Sequence, residues 1–256
     1  MRRFTIGSMF YAIGLLLVPG LGAQEEQPTV YTFVAEWAVP RDQWSAYEGA
    51  ASTTMRPILE KLAADGTLVG WGTYATVVHE QNGNSHGIWF TATSIAAIER
   101  ARGSLLQGSS GMTMLANAGH WDFLMSSDLY GGGSATASGA YLHVSSVMVQ
   151  PGKGNDWEEL WKKYNRPVYD GLIKDGSLLA YSIDTQDIHT MNPRYRFIVT
   201  VTPSAEGEDK VGAAFDAAGQ KRSEMERDAI FKAFTEVQDR DQHRDYFARV
   251  TAYWHK

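Results

Sequence analysis

The 256-residue chain contains no cysteine. This absence excludes disulfide bonds, thiolate nucleophiles, thiolate metal ligands and attachment to a membrane through a lipidated cysteine. Stability must therefore come from a packed core. A hydrophobic content of 44%, with 8 Trp, 12 Tyr and 10 Phe, is ample for one.

The chain also lacks an excess of positive charge, since its formal net charge at pH 7 is −6. A mildly acidic protein has no electrostatic reason to bind nucleic acid or anionic lipid. The sequence contains no Gly-rich nucleotide loop, P-loop, His-Glu-x-x-His zinc helix or Gly-x-Ser-x-Gly elbow. These absences argue against nucleotide-driven chemistry and standard serine hydrolysis.

An apolar run at residues 6–20 is shorter than the roughly 20 residues that a membrane-spanning helix requires. It follows the basic start "MRR" and precedes small residues that end at Ala23, a pattern typical of a signal peptide. We therefore predict that residues 1–23 direct export to the periplasm or extracellular space and are cleaved after Ala23. An uncleaved anchor or another cleavage site is the alternative, and after cleavage we expect no association with a membrane.

The chain is internally duplicated. When it is shifted by 110 residues, Tyr31–Ser94 aligns with Tyr141–Ser204 without a gap, and 14 of the 64 positions are identical. Unrelated segments would share about 4, given typical residue frequencies. A repeat of this length indicates two copies of a domain rather than a solenoid. We predict one repeat at residues 24–130, a flexible linker at 131–139 ("GGGSATASG"), and a second repeat at 140–256.

Both copies show the same order of predicted elements. Each begins with an alternating stretch rich in aromatic and β-branched residues, which predicts a strand. A helical stripe follows, interrupted by Pro57 or Pro167 and ended by a repeated Asp-Gly. Two more strands, a helix capped by Ser94 or Ser204, and a last strand complete each copy. The predicted order is β-α-β-β-α-β, twice.

This order is that of the ferredoxin-like split βαβ unit, whose helices cover one face of its sheet. Two such units in one chain resemble the dimeric α+β barrel superfamily in a fused, single-chain form. The resemblance covers nearly the whole mature chain and rests on element order and duplication. It implies an α+β fold in which two tandem ferredoxin-like repeats form a pseudo-twofold barrel, with a monomer expected because the chain supplies its own partner.

The resemblance does not choose an activity, because one fold hosts many. Members of the superfamily include antibiotic-biosynthesis monooxygenases, muconolactone isomerase-like enzymes, polyketide cyclases, haem-degrading monooxygenases and chlorite dismutases. It does imply a cavity between the two sheets that takes a small apolar or aromatic ligand. The ligand would be the chain's only expected partner.

Strand alternation predicts which face lines that cavity. Tyr31, Phe33 and Trp37 share one face of the first strand, and the equivalent face in the second copy carries Tyr141 and His143. We predict that this face lines the cavity and that the opposite face packs on helices, although Glu36 on that opposite face fits the prediction poorly. The complete predicted lining comprises Tyr31, Phe33, Trp37, Tyr141, His143, Trp71, Trp89 and Tyr181.

One position on this face differs in chemistry between the copies, because Phe33 of the first copy is His143 in the second. We predict that His143 is a general acid/base and that Tyr31 or Tyr141 orients the substrate. A structural histidine, hydrogen-bonded or partly exposed, is the alternative.

The other paired histidines each allow a structural and a functional interpretation. His79 and His189 end equivalent strands, and either face each other across the axis or cap exposed hairpins. His120 and His243 open the last strands, each followed two residues later by an Asp that could orient the ring.

Alternate acidic residues and a histidine within residues 239–245 ("DRDQHRD") could hold a hard metal if extended. A charged, solvated loop is the favoured interpretation, so neither a metal nor a cofactor is predicted.

Three classes of function remain open. The first is a cofactor-free isomerase, cyclase or monooxygenase-like enzyme that acts on a small aromatic or polyketide-like compound. The second is a non-catalytic exported protein that binds a ligand in the same cavity. The third, ranked last, is a haem protein with one histidine as axial ligand.

Overall fold

The computed structural model of the protein describes residues 27–79 and 83–256. The predicted signal peptide, residues 1–23, lies outside them. Within the described residues, no helix combines the length and the apolar character needed to cross a bilayer.

The elements of the first half follow the predicted order. Its strands are β1 (Val30–Ala38), β2 (Gly70–Thr76), β3 (His86–Ala92) and β4 (Gly119–Gly132). Its helices are α1 (Trp44–Ala50), α2 (Arg56–Ala64) and α3 (Ile95–Gly108), with a π-helical turn, Ala51–Met55, between α1 and α2.

A short strand, β5 (Ala135–Ala137), precedes the second half. The strands of that half are β6 (Tyr141–Val149), β7 (Ala180–Gln186), β8 (Tyr195–Thr202) and β9 (Gln238–His255). Its helices are α4 (Gly154–Tyr164), α5 (Arg166–Lys174), α6 (Ala205–Gln220) and α7 (Glu224–Val237).

Eight of these strands close into an antiparallel β-barrel. The order around it is β2-β3-β1-β4-β7-β8-β6-β9, and β9 pairs back onto β2. The order within the first half, β2-β3-β1-β4, therefore matches the order within the second, β7-β8-β6-β9. Closure leaves none of these eight strands with an open edge, which removes a common route to aggregation.

Proline interrupts the helices, and glycine ends them, at the positions that the sequence predicts. Pro57 lies in the first turn of α2, just after the π-helical turn, and Pro167 lies in the first turn of α5, just after α4 ends. Proline has no N–H to donate and its ring clashes with the preceding turn, so neither long helix continues regularly through it. Gly66 and Gly176 follow with φ angles of 79° and 76°, the left-handed conformation that ends a helix.

The two predicted N-caps are confirmed. The Ser94 side chain accepts a hydrogen bond from the backbone N–H of Ala97, and the Ser204 side chain accepts one from Gly207. Each serine satisfies a backbone donor that the first helical turn would otherwise leave unpaired.

The segment predicted as a flexible linker is instead part of the sheet, so that prediction is wrong. Gly131 and Gly132 pair with β7, and Ala135–Ala137 pair with the end of β9. Glycine permits flexibility, but at Gly131 the missing side chain makes room for a ring. A Cβ there would lie 2.5 Å from the Tyr181 ring.

Many large side chains pack outside the barrel, under the helices. Phe33 stacks on Phe90 with ring centroids 5.3 Å apart, and Trp71 is buried in the same cluster. In the second half, Trp157 and Trp161 fill the space beneath the helices.

Candidate functional site

The barrel encloses a cavity of about 610 Å³, a size typical of small-molecule sites. Its wall is mostly apolar and includes Val30, Val34, Val69, Met125, Leu142, Val144, Phe197, Val199 and Val201. At one end the wall includes the exposed side chains of Val78 and Met191, from the β2–β3 and β7–β8 hairpins. The exposure of these side chains shows that the cavity reaches the surface at this end.

A carboxyl group and a phenol meet inside this wall. The Tyr74 hydroxyl donates to Glu36 Oε1 at 2.7 Å. Burial raises the pKa of the Glu36 carboxyl, and the hydrogen bond from Tyr74 partly opposes that rise. Burial likewise holds the pKa of Tyr74 well above its ordinary value, so the phenol stays protonated.

Tyr246 places a second phenol beside the first. Asn84 Nδ2 donates to Tyr246 Oη at 3.0 Å, and Thr76 Oγ1 lies 3.0 Å from the same oxygen. Burial raises the pKa of Tyr246. The rings of Tyr74 and Tyr246 meet edge to face, with centroids 5.8 Å apart.

Asp184 is a second carboxyl group on the wall and is 5% exposed. It accepts hydrogen bonds from the hydroxyls of Ser127, its cross-strand partner on β4, and Ser182. Burial raises its pKa from 3.8 to about 6, and no described cation offsets that effect. Burying a carboxylate without a cation costs free energy, so such a group is more often explained by function than by stability.

Tyr253 contributes a free hydroxyl. The residue is 3% exposed and lines the cavity next to Trp89, with ring centroids 6.2 Å apart. Among the described residues, no group forms a hydrogen bond with its hydroxyl. A buried O–H donor without a partner loses free energy that a ligand acceptor would restore.

The polar groups break the symmetry between the halves. The 110-residue shift places Asp184 where the first half has Tyr74, and Ser146 where the first half has Glu36. Both halves thus contribute acidic residues to the cavity, Glu36 from β1 in the first and Asp184 from β7 and Asp245 from β9 in the second. Gly87 of the first half is Phe197 in the second, and only the glycine leaves room for a ring to lie across the strand.

The structure corrects the predicted lining. The face of β1 that carries Tyr31, Phe33 and Trp37 packs toward the helices, and the opposite face, with Val34 and Glu36, lines the cavity. Trp71 also lies in the core beneath the helices. The prediction failed because strand alternation separates two faces without showing which one the helices cover.

The equivalent face of the second half is placed in the same way. Tyr141 stacks on Phe247 with ring centroids 5.3 Å apart and is absent from the cavity wall. His143 lies on that outer face, where Nδ1 is 3.4 Å from Glu208 of α6 and Nε2 is 3.5 Å from Asp245. His143, Tyr31 and Tyr141 are therefore not positioned to act on a ligand in the cavity.

Trp89 and Tyr181 differ from the other predicted lining residues. Trp89 belongs to the cavity wall, and its ring lies across Gly72, its partner on β2. Tyr181 contributes to the wall, but its ring stacks on Tyr169 under the helices and its hydroxyl donates to Asp170 at 2.6 Å.

The remaining paired histidines lie outside the cavity wall. His79 stacks on Trp44, and His120 stacks on Trp37 while its Nε2 lies 2.9 Å from Asp122. His243 Nε2 lies 3.1 Å from Asp245 Oδ1, and His189 is exposed on its hairpin. The histidines of both His-x-Asp pairs thus lie outside the cavity wall, although Asp245 belongs to that wall.

One of the seven histidines of the chain, His255, lines the cavity. Its Cδ2 and Cε1 lie 3.2 and 3.4 Å from the positions that Cβ atoms on Gly70 and Gly132 would occupy. These two glycines therefore leave room for the His255 ring. Burial lowers the pKa of His255, and hydrogen bonds with the backbone of Gly133 and Lys256 oppose that effect.

Sequence reasoning missed Asp184, Tyr253 and the Glu36–Tyr74 pair as cavity residues. One signal was available: Glu36 interrupts an otherwise apolar face, and a lone carboxylate beneath packed helices would be costly. Moving that face to the cavity would have reversed the assignment of the whole strand, because side chains alternate between faces.

Comparison with known proteins gives the fold. No protein-family model matches the chain, and no curated protein sequence matches it. Similar solved structures include a "putative monooxygenase" from Lactobacillus acidophilus NCFM, with 10% identity and a TM-score of 0.59 over 90% of this chain and 97% of that one. Another, a "Putative monooxygenase" from Fusobacterium nucleatum subsp. nucleatum, has 11% identity and a TM-score of 0.63 over 91% and 96%. Identities this low show a shared α+β barrel fold and no activity.

Proposed function

We propose that the chain is a small-molecule enzyme that binds an aromatic or polyketide-like compound inside its barrel and acts on it without a cofactor. The observation that supports this proposal is the largely apolar cavity of about 610 Å³ into which a few buried polar groups converge. An apolar wall selects a ring skeleton, and the few polar groups fix its orientation. The monooxygenase names of the two similar structures are compatible with an isomerase, cyclase or monooxygenase-like reaction.

A non-catalytic binding protein is the second candidate, because the apolar wall alone would hold such a ligand. The two differ over the buried carboxyl groups. A binding protein gains nothing from a carboxyl whose burial is costly, whereas an enzyme can use one whose pKa lies near its working pH. Asp184 therefore favours the enzyme.

The architecture and destination of the chain complete the proposal. We infer that the halves are two tandem ferredoxin-like repeats. The matching strand orders and the gapless alignment at an offset of 110 residues support this inference.

We also infer export with cleavage after Ala23, supported by the sequence pattern of residues 1–23. Expression in a bacterium followed by N-terminal sequencing tests the export, and the exported protein should begin at Gln24.

Cavity binding is tested by filling the cavity. Val144 lines it, so Val144→Trp should weaken the affinity for 1-naphthol, read from the quenching of tryptophan fluorescence, by at least about tenfold. Val77→Trp is the matched control, because Val77 is exposed and is not part of the wall. Equal affinities in the two variants would show that 1-naphthol binds elsewhere.

A further inference from the structure

Two polar groups of the cavity have no structural task that accounts for them. The carboxyl of Asp184 is buried with hydroxyl partners and without a cation, and the hydroxyl of Tyr253 is buried with no partner among the described residues. Both residues line the same cavity. One group can accept a proton and the other can donate a hydrogen bond.

Three other phenols on the wall are already engaged. The Tyr74 proton is committed to Glu36, and Tyr246 Oη accepts from Asn84. The hydroxyl of Tyr130 donates to the backbone oxygen of Pro28 at 3.0 Å. Tyr130 is the counterpart of Tyr253 when the last strands of the halves are aligned, so the same phenol is satisfied in one half and unpartnered in the other.

We propose that the cavity takes an apolar ring compound with an enolisable carbonyl group, that Asp184 moves its proton, and that Tyr253 holds its oxygen. This proposal rests on the proposed function and assigns its substrate class and two catalytic residues. The unpartnered phenol requires an acceptor on the ligand, which a carbonyl oxygen supplies. The carboxyl requires a proton to accept, which the carbon next to that carbonyl supplies.

The reaction needs no co-reactant. The carboxylate of Asp184 removes a proton from the carbon next to the carbonyl, the C–H electron pair forms the carbon–carbon double bond, and the carbonyl π pair moves onto oxygen. The O–H of Tyr253 stabilises the negative oxygen of the enolate. Protonated Asp184 then returns the proton to the same carbon, which exchanges hydrogen, or to a conjugated carbon, which isomerises the compound.

The two serine hydroxyls that contact Asp184 suit it to act as a base. Ser127 and Ser182 donate to the carboxyl and hold it on the wall, whereas a lysine or arginine would keep it ionised and weaken it as a base. The low exposure of the site limits competition by water for the enolate oxygen.

The test uses the full chain and three bicyclic probes: naphthalene, 1-naphthol and 2-tetralone. Binding is followed by tryptophan fluorescence, and hydrogen exchange of 2-tetralone in D₂O is followed by NMR. The wild-type protein should accelerate the exchange over buffer. Asp184→Asn should bind 2-tetralone but exchange it at least about 100-fold more slowly, and Tyr253→Phe should lose about 100-fold.

Asp187→Asn is the matched control, since Asp187 is exposed and three residues along the chain. It should exchange 2-tetralone within about twofold of the wild-type rate. Asp184→Asn preserves shape and removes a buried acid, and its binding of naphthalene verifies that the cavity has formed.

The outcomes separate the two proposals. If the probes bind but exchange is no faster than in buffer, or is as fast in Asp184→Asn as in the wild type, the proton-transfer proposal is overturned and cavity binding stands. If none of the three probes binds, the proposed function itself is overturned, and the proton-transfer proposal falls with it.

Discussion

Tyr74 reaches Glu36 by lying across Gly87. Tyr74 is on β2 and Glu36 on β1, and β3 runs between these strands with Gly87 paired to both residues. A Cβ on Gly87 would lie 2.2 Å from Tyr74 Cζ and 2.3 Å from its hydroxyl oxygen. The absence of a side chain at one position therefore permits a hydrogen bond between two strands that are not neighbours.

Gly87→Ala should lower the free energy of unfolding by about 1–3 kcal/mol, because the added methyl group must displace the buried ring of Tyr74. Urea denaturation measures the change. Displacing Tyr74 also removes its hydrogen bond to Glu36, so 1-naphthol binding should weaken in the same variant.

Gly103→Ala is the matched control. Gly103 lies inside α3, and a Cβ there would have no atom within 4 Å. Alanine favours the helix, so this variant should be more stable than the wild type by up to about 1 kcal/mol. Equal destabilisation by both substitutions would disprove the steric explanation.

Asp184 should make the protein less stable as the pH rises. Its pKa is about 6 in the folded protein and about 3.8 when exposed, so the folded state binds the proton more tightly. The free energy of unfolding should therefore fall between about pH 4 and pH 6 by about 3 kcal/mol from this group, and stay lower above pH 6.

Asp184→Asn should remove this pH-dependent loss of stability. The variant should therefore be more stable than the wild type at pH 7, and the difference in free energy of unfolding should shrink toward pH 4. Urea titrations at several pH values measure it, with Asp187→Asn as reference. Parallel stability curves for Asp184→Asn and the wild type would contradict the raised pKa.

His143 should act on stability in a different pH range. The hydrogen bond to Glu208, with the charge of Asp245, raises the pKa of His143 above 6.5 despite partial burial. The stabilising contribution is therefore complete below pH 6.5 and is lost as the pH rises through the raised pKa. The His143 side chain is 37% exposed, so screening by solvent limits this contribution to under about 1 kcal/mol.

His143→Phe introduces the residue that the first half has at this position. The difference in free energy of unfolding between this variant and the wild type should change between pH 5 and pH 9. His189→Phe, on an exposed hairpin, should show no such change. Ligand binding should be unaffected in His143→Phe, because His143 is outside the cavity wall.

Gly66 and Gly176 end equivalent helices with positive φ angles. Alanine at either position must adopt the left-handed conformation, so each substitution should cost about 1 kcal/mol in the free energy of unfolding. Each site has open space around it, which leaves backbone strain as the cause. Unequal costs at the two positions, measured by thermal unfolding, would argue against their equivalence.

The elements of the fold could be predicted because their signals are local. The prolines at 57 and 167, the glycines at 66 and 176, and the capping serines act through the conformations of their own backbone, and the structure agrees with each. The order of strands around the barrel was not predicted, because it depends on pairings between distant strands such as β2 and β9.

Which face of each strand lines the cavity could not be predicted as easily. Phe33 and Phe90 stack under the helices. The same alternation of side chains would place both rings in the cavity if the helices covered the opposite face of the sheet. Alternation separates two faces without saying which one is covered by helices. The decision depends on packing partners such as Ile98 and Leu105 on α3, which lie about 60 residues after β1 in sequence.

The buried chemistry was hardest to foresee. Asp184 appeared in the sequence only as one of several polar residues of the second half, and its burial depends on Ser127, 57 residues earlier. The unpartnered hydroxyl of Tyr253 is likewise a property of the assembled cavity rather than of any segment.

Barrel closure has a consequence for the order in which the chain can fold. The seam that joins β2 to β9 pairs Gly70 with His255, so the outer edge of the first half stays open until the last strand of the chain reaches it. Until then β2 presents unpaired backbone groups to any other unfolded chain. Pairing between such distant residues is slow to form, so closure of this seam sets how long the edge is open to wrong pairing.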